Sequence, residues 1–176
     1  MPLTVRPAAD EYAPFYETDV GKVPEGDLLE TLRRQSSETL DLLAGLDEEA
    51  ALHRYEPGKW SVKEVVGHMI DTERIFSYRA LSFARKDPNP LPGMDQEPWA
   101  AAAGFDRRTL DSLLSEWRHL REANVLLFAS FDDETLSRRG TASGWEVTVR
   151  ALLYIVAGHE LHHRRILEER YLLPPG

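Results

Sequence analysis

The stretch Leu152-Leu153-Tyr154-Ile155-Val156-Ala157-Gly158-His159-Glu160-Leu161-His162-His163-Arg164-Arg165-Ile166 decides how this chain is read. Leu152, Ile155, Val156 and Ile166 recur with the 3.6-residue period of a helix buried along one side. His159 and His163 lie one turn apart on a single face, inside that apolar stripe. Imidazoles on a core-facing stripe need hydrogen bonds or a ligand to offset their desolvation. One metal ion shared by the pair would satisfy both. The alternative is a hydrogen-bonded core histidine beside a solvated one.

The rest of the chain falls into similar helices. The helix just quoted starts near Thr148, a suitable cap, and ends around Leu172, ahead of Pro174-Pro175. An earlier helix is predicted from Asp27, its cap, to about Leu46, with Leu28, Leu29, Leu32, Leu40, Leu43 and Leu46 on its apolar side. The next starts at Ser61-Val62-Lys63-Glu64, a capping box in which the serine caps and the glutamate reaches back. It runs to about Arg85 with Val62, Val65, Val66, Met69 and Phe76 along its stripe and His68 on the flank. A third long helix spans about Asp106 to Phe131. Asp132 to Glu146 reads as polar loop, and no strand is predicted. Residues 1–24, with Pro2, Pro7, Pro14 and Pro24, read as an extended arm packed on the domain.

These four amphipathic segments predict an all-α fold, a four-helix bundle in one domain over residues 1–176. Residues 86–105 join the second helix to the third and hold Pro88, Pro90, Pro92 and Pro98, with room for a short helical turn near Trp99–Ala103. A connection that long can cross the bundle, which makes helices two and three parallel and helices two and four antiparallel. Long connections in compact domains often border sites, so this one is expected near the histidines.

Composition limits the chemistry. The formal net charge is -9 and the pI about 5.2, which argues against nucleic acid or an anionic membrane as partner. There is no cysteine, so any metal must be held by His, Asp or Glu. The N-terminal residues lack the apolar core of a signal peptide, and no apolar run reaches about 18 residues, so the expected location is the cytoplasm.

Two histidines make a weak metal site; a catalytic zinc takes three protein ligands and keeps a position open. Counting from the helix ends puts His68 about 10 Å along the bundle, His163 about 13 Å and His159 about 19 Å, all in one half. His162 sits at the stripe edge, as an alternative ligand or a supporting group. His119 and His53 read as surface residues, His53 near a site mouth. Asp71 is either a supporting carboxylate or a solvated one. Glu160 falls about 90° from the stripe centre, which predicts exposure. Arg79 is expected in a surface ion pair with Glu73 or Asp87. His159-Glu160-Leu161-His162-His163 matches H-E-x-x-H, but only 13 residues follow His163, too few for the downstream ligand of a zincin.

Pro57-Gly58-Lys59-Trp60-Ser61-Val62-Lys63-Glu64-Val65-Val66-Gly67-His68, continued by Asp71-Thr72-Glu73, together with Gly158-His159-Glu160-Leu161-His162-His163, resemble the DinB-like (DinB/YfiT) family of metal-binding four-helix bundles. The resemblance covers about residues 25–172. It implies an up-down-down-up topology and a divalent metal, zinc or nickel, on His68, His159 and His163. It implies an enzyme that activates water or a low-molecular-weight thiol, as hydrolase or S-transferase, on a small-molecule substrate. A homodimer is also implied. A metal- or ligand-binding bundle without chemistry is the other reading.

Overall fold

The computed structural model describes residues 3–172. Pro2, Pro174 and Pro175 lie outside them. The helices are α1 (Glu17–Lys22), α2 (Leu28–Leu43), α3 (Glu48–Ala51), α4 (Val62–Ala84), α5 (Gln96–Ala103), α6 (Leu110–Ala129) and α7 (Asp133–Ser137); a hairpin of β1 (Arg139–Ala142) and β2 (Trp145–Thr148) then leads into α8 (Val149–Ile166). The long helices begin where capping chemistry puts them. Asp27 accepts from the Leu29 amide, Ser61 and Glu64 form the reciprocal box, and Thr109 and Thr148 cap α6 and α8.

Helices α2, α4, α6 and α8 form the bundle, with neighbours in the ring order α2, α6, α4, α8. Polar contacts fix their directions. Gln35 meets Ala157, and Thr39 one turn later meets Glu160, so α2 and α8 run parallel. Ser61 at the start of α4 meets Asp106 just ahead of α6, and further along both helices Glu73 meets Arg121 and Asn124, so α4 and α6 run parallel. His68 meets both His159 and His163, while Phe76 borders Val156, so α4 opposes α8. The topology is up-down-down-up, as expected.

Two expectations are corrected. The stretch read as loop carries the hairpin, closed by Ser143 (φ 55°) and Gly144 (φ 80°); positive φ at both central residues is the turn that matches strand twist. Its strands are only four residues each, too short for a strong alternation. The N-terminal arm is not simply extended. It holds short helical turns at Ala9–Glu11 and Pro14–Tyr16 and then α1. Pro14 is accommodated at the first position of its turn, where no amide hydrogen bond is needed.

The buried apolar side chains fall into two clusters. One contains Leu32, Phe76, Phe83, Phe128 and Leu152; the other contains Leu43, Val66, Ile70, Leu113 and Trp117. Between them lies a polar layer: Gln35 and Thr39 on α2, Thr72 and Glu73 on α4, Arg121 and Asn124 on α6, Glu160 on α8, all buried.

Two glycines set how closely outer segments approach. A Cβ on Gly67 would overlap the Phe105 ring, and one on Gly158 would overlap the Asp19 carbonyl of α1. Each glycine immediately precedes a histidine of the pattern, so the close packing falls beside His68 and His159. Gly158→Ala should therefore push α1 off α8 and lower stability by about 1–3 kcal/mol. Urea unfolding with limited proteolysis of residues 9–22 checks this; wild-type stability with a protected arm would contradict it.

Candidate metal centre

His68 comes from α4, and His159 and His163 from successive turns of α8. Their ring nitrogens converge. Nε2 of His159 lies 3.1 Å from Nε2 of His68 and 3.1 Å from Nε2 of His163, and one nitrogen of each ring lies within 4.8 Å of the other two. His68 and His163 are 4% and 9% exposed. Trp60, just before the α4 cap, lies with its ring 4.8 Å from that of His68, and Thr72 Oγ1 is 3.4 Å from His68 Nδ1. The set has the right chemistry for a divalent borderline metal: three neutral imidazoles converging from two rigid helices.

Burial keeps those imidazoles neutral. Desolvation, with the neighbouring His162, lowers His68 to about 4; desolvation, with His68 and His162, lowers His163 to about 3. His159 is driven well below its ordinary value by desolvation and by its two partners. Neutral imidazole is the metal-binding form.

Of the other histidines, His162 is half-buried with its ring 5.0 Å from that of His163, but it stands outside the cluster of three. His119 is exposed, with Nδ1 2.7 Å from the Ser115 carbonyl oxygen. His53 is exposed beside Tyr171, at 6.3 Å between rings. Asp71 has its carboxyl raised by burial, offset by Arg74, and has no hydrogen bond to a histidine among the described residues.

Two placements differ from expectation. Glu160 is 2% exposed, not at the surface. Helix α8 is covered by α4, α1 and α2 together, so a position 90° off the stripe is still interior. Glu160 accepts from Thr39 Oγ1 at 2.8 Å and from Arg121 at 2.6 Å. Arg79 is also buried. It donates to the Pro92 carbonyl at 2.7 Å and to Ser143 Oγ at 3.1 Å, pinning the 86–105 connection to the hairpin. Glu73 pairs instead with Arg121, in a two-pronged contact of 2.9 and 2.6 Å. Sequence reasoning missed this Arg121 network because its members lie on four helices with no local spacing to betray them.

A cavity of about 300 Å³ adjoins the cluster, walled by His162 and His163, Trp60, Tyr55, Tyr171 and, from the long connection, Gln96. A larger groove, about 950 Å³, runs between α2 and α6 along Ser36, Leu40, Leu114 and Arg118. Of the two, only the smaller cavity is lined by histidines of the cluster region, His162 and His163.

Residues 31–167 match the model of the DinB superfamily, and the chain belongs to that family. A protein of Oceanobacillus iheyensis whose name assigns it, provisionally, to the metal-dependent hydrolases is 26% identical over 137 residues, covering 77% of this chain and 76% of that protein. Among solved structures, YfiT from Bacillus subtilis, described as a probable metal-dependent hydrolase with an unusual four-helix bundle topology, superposes with a TM-score of 0.71 at 16% identity over 81% of this chain and 82% of its own. A mycothiol-dependent maleylpyruvate isomerase gives 0.66 at 14% identity over 83% of this chain, which spans only 61% of that enzyme. A DinB-like protein from Bacillus cereus gives 0.59 at 19% identity, with 85% and 94% covered. At these identities the structures share the fold. Among the described residues, no helix is long and apolar enough to cross a membrane.

The lowered histidine values make a pH prediction for metal-free protein. Unfolding restores each imidazole to about 6.5, so between about pH 6.5 and 4 the unfolded chain binds more protons than the folded one. Stability should fall as the pH drops through that window. Near pH 5, His163 contributes a slope of about 1.3 kcal/mol per pH unit. Urea titrations between pH 6 and 4.5, compared with His163→Gln, should show the slope reduced by about that amount in the variant. Equal slopes would mean that His163 is already protonated when folded.

Proposed function

We propose that this DinB-superfamily chain is a metal-dependent enzyme acting on a small molecule, with His68, His159 and His163 holding one divalent ion, zinc or nickel. The observation that carries this reading is the convergence of three imidazole nitrogens, from buried His68 and His163 and partly buried His159, beside a cavity open to solvent. A divalent ion supplies Lewis acidity, which generates a water- or thiol-derived nucleophile near neutral pH. The protein's own groups do the rest. The three imidazoles bring no negative charge, so the ion's charge stays available to an anion. Rigid helices on both sides hold the rings in place, with Trp60 against His68.

The cavity supports a small-molecule substrate. Trp60, Tyr55 and Tyr171 give it an apolar wall, and His162 and Gln96 give it hydrogen-bonding groups. Tyr171 is raised to about 12 by burial and by Tyr55, so it stays a neutral phenol, and it donates to the Trp60 carbonyl at 2.7 Å. That contact ties the end of the chain to the residue that packs on His68. The Oceanobacillus relative favours hydrolysis. The mycothiol-dependent isomerase, at the level of the fold, favours use of a low-molecular-weight thiol. The family resemblance extends the reading to a homodimer, and the sequence expectation extends it to a location in the cytoplasm.

Elemental analysis of protein purified without a histidine tag tests the site. Wild type should carry near-stoichiometric divalent metal, and His159→Ala should lose it. Excess zinc or nickel at about 100 times its Kd should stabilise wild type by about 2.7 kcal/mol over chelator-treated protein, with no shift in the variant. Metal absent from both, with no uptake on addition, would remove the enzyme reading. Metal retained by wild type without turnover of thiols, electrophiles or esters would leave a metal-binding bundle.

A further inference from the structure

The polar layer beside the histidines carries unequal charge. One guanidinium, Arg121, faces two carboxyl groups in this buried layer, Glu73 and Glu160, each 4% exposed or less, so with both ionised two negative charges stand against one positive charge. Their remaining partners are neutral: Asn124 donates to Glu73 at 3.0 Å and Thr39 to Glu160 at 2.8 Å. Arg121 makes four hydrogen bonds, three to the two carboxylates and one to the Leu32 carbonyl at 3.0 Å. No second basic side chain pairs with either carboxylate among the described residues. The nearby Lys22 is paired with Asp19 on α1. Taking charge out of water is costly, and an uncompensated buried charge costs most. A second carboxylate on one guanidinium is therefore a burden to the metal-free fold.

The same layer touches the histidines. His159, Glu160, Glu73, Thr72 and Arg121 border one small internal cavity of about 10 Å³. Glu160 also follows His159 directly in α8.

We propose that the excess negative charge of the Glu73–Arg121–Glu160 network is the counter-charge of the divalent ion, so that Glu160 and Glu73 act as positioning residues that raise metal affinity without touching the metal. This rests on the metal reading above. Three neutral imidazoles leave the ion's two positive charges in place, and the carboxylates that share a gap with His159 offset them from the buried side. The network is thereby strained without metal and balanced with it.

That division gives a test with two readouts of opposite sense. Glu160→Gln and Glu73→Gln keep side-chain shape and remove one negative charge each. Zinc affinity is measured by chelator competition, and the thermal midpoint of the metal-free protein is measured alongside. Each variant should bind zinc about 10- to 100-fold more weakly, the range seen when groups supporting metal ligands are changed. The metal-free midpoint should be unchanged or higher, because the excess charge is gone. A zinc Kd within twofold of wild type in both variants would overturn the inference while leaving the metal site standing. Loss of affinity only in a variant whose metal-free midpoint also falls would overturn it too, since a loosened scaffold would explain both. Failure of wild type to bind zinc or nickel would remove the metal site itself, and this inference with it.

Discussion

The Arg121 guanidinium, buried at the centre of the bundle between Glu73 and Glu160, is the constraint on which the rest of the structure depends. It reaches all four bundle helices: α6 carries it, α4 and α8 supply its carboxylates, and α2 supplies the Leu32 carbonyl. Apolar packing tolerates small slips of one helix past another, but a buried ion network does not. Leaving a buried polar group of such a network without its hydrogen bonds costs about 1–3 kcal/mol or more, and sliding α8 by a turn would do that to Arg121 and Glu160 together. The network therefore fixes the register of the two helices that bring His68 against His159 and His163. The apolar core is divided around it into two clusters.

Close backbone packing adds a second level of precision. The positions before His68 and before His159 lack a side chain, so Phe105 and α1 sit directly on the helices there. Segments outside the four long helices thereby become part of the site's walls. The 86–105 connection supplies Gln96 to the cavity and is fastened at its other end by Arg79. The site is rigid on its helical side, with its opening among aromatic side chains and the connecting segment. That is the arrangement expected of a pocket that holds an ion firmly while exchanging small molecules.

Periodicity was sufficient for the long helices because each is amphipathic, with a side-chain cap at its start and a stripe that must be buried somewhere. The length of the 86–105 connection was sufficient for topology, since a crossover of the bundle is what such a length permits. Counting turns placed His68, His159 and His163 in one half of the bundle, because helices have a fixed rise and antiparallel packing converts sequence distance into depth, and the resemblance to the DinB-like family singled them out as a set. The hairpin escaped notice because four-residue strands carry too little alternation, and Ser143-Gly144 alone reads as any turn. The arm's short helices escaped because its prolines sit where a helical turn can begin.

What the sequence by itself determined, then, is what local forces control: helix positions, their caps, and two histidines on an inward face with a third on the flank of another. Only the tertiary structure decided which carboxylates are buried. Glu160 reads as a surface residue on one helix considered alone and becomes interior once α1, α2 and α4 all lie against α8. Glu73 and Arg121, 48 residues apart, could be recognised as a pair only after α4 and α6 were packed in parallel. Burial of charge is a property of the assembled bundle, because its cost and its compensation both come from groups distant in the chain.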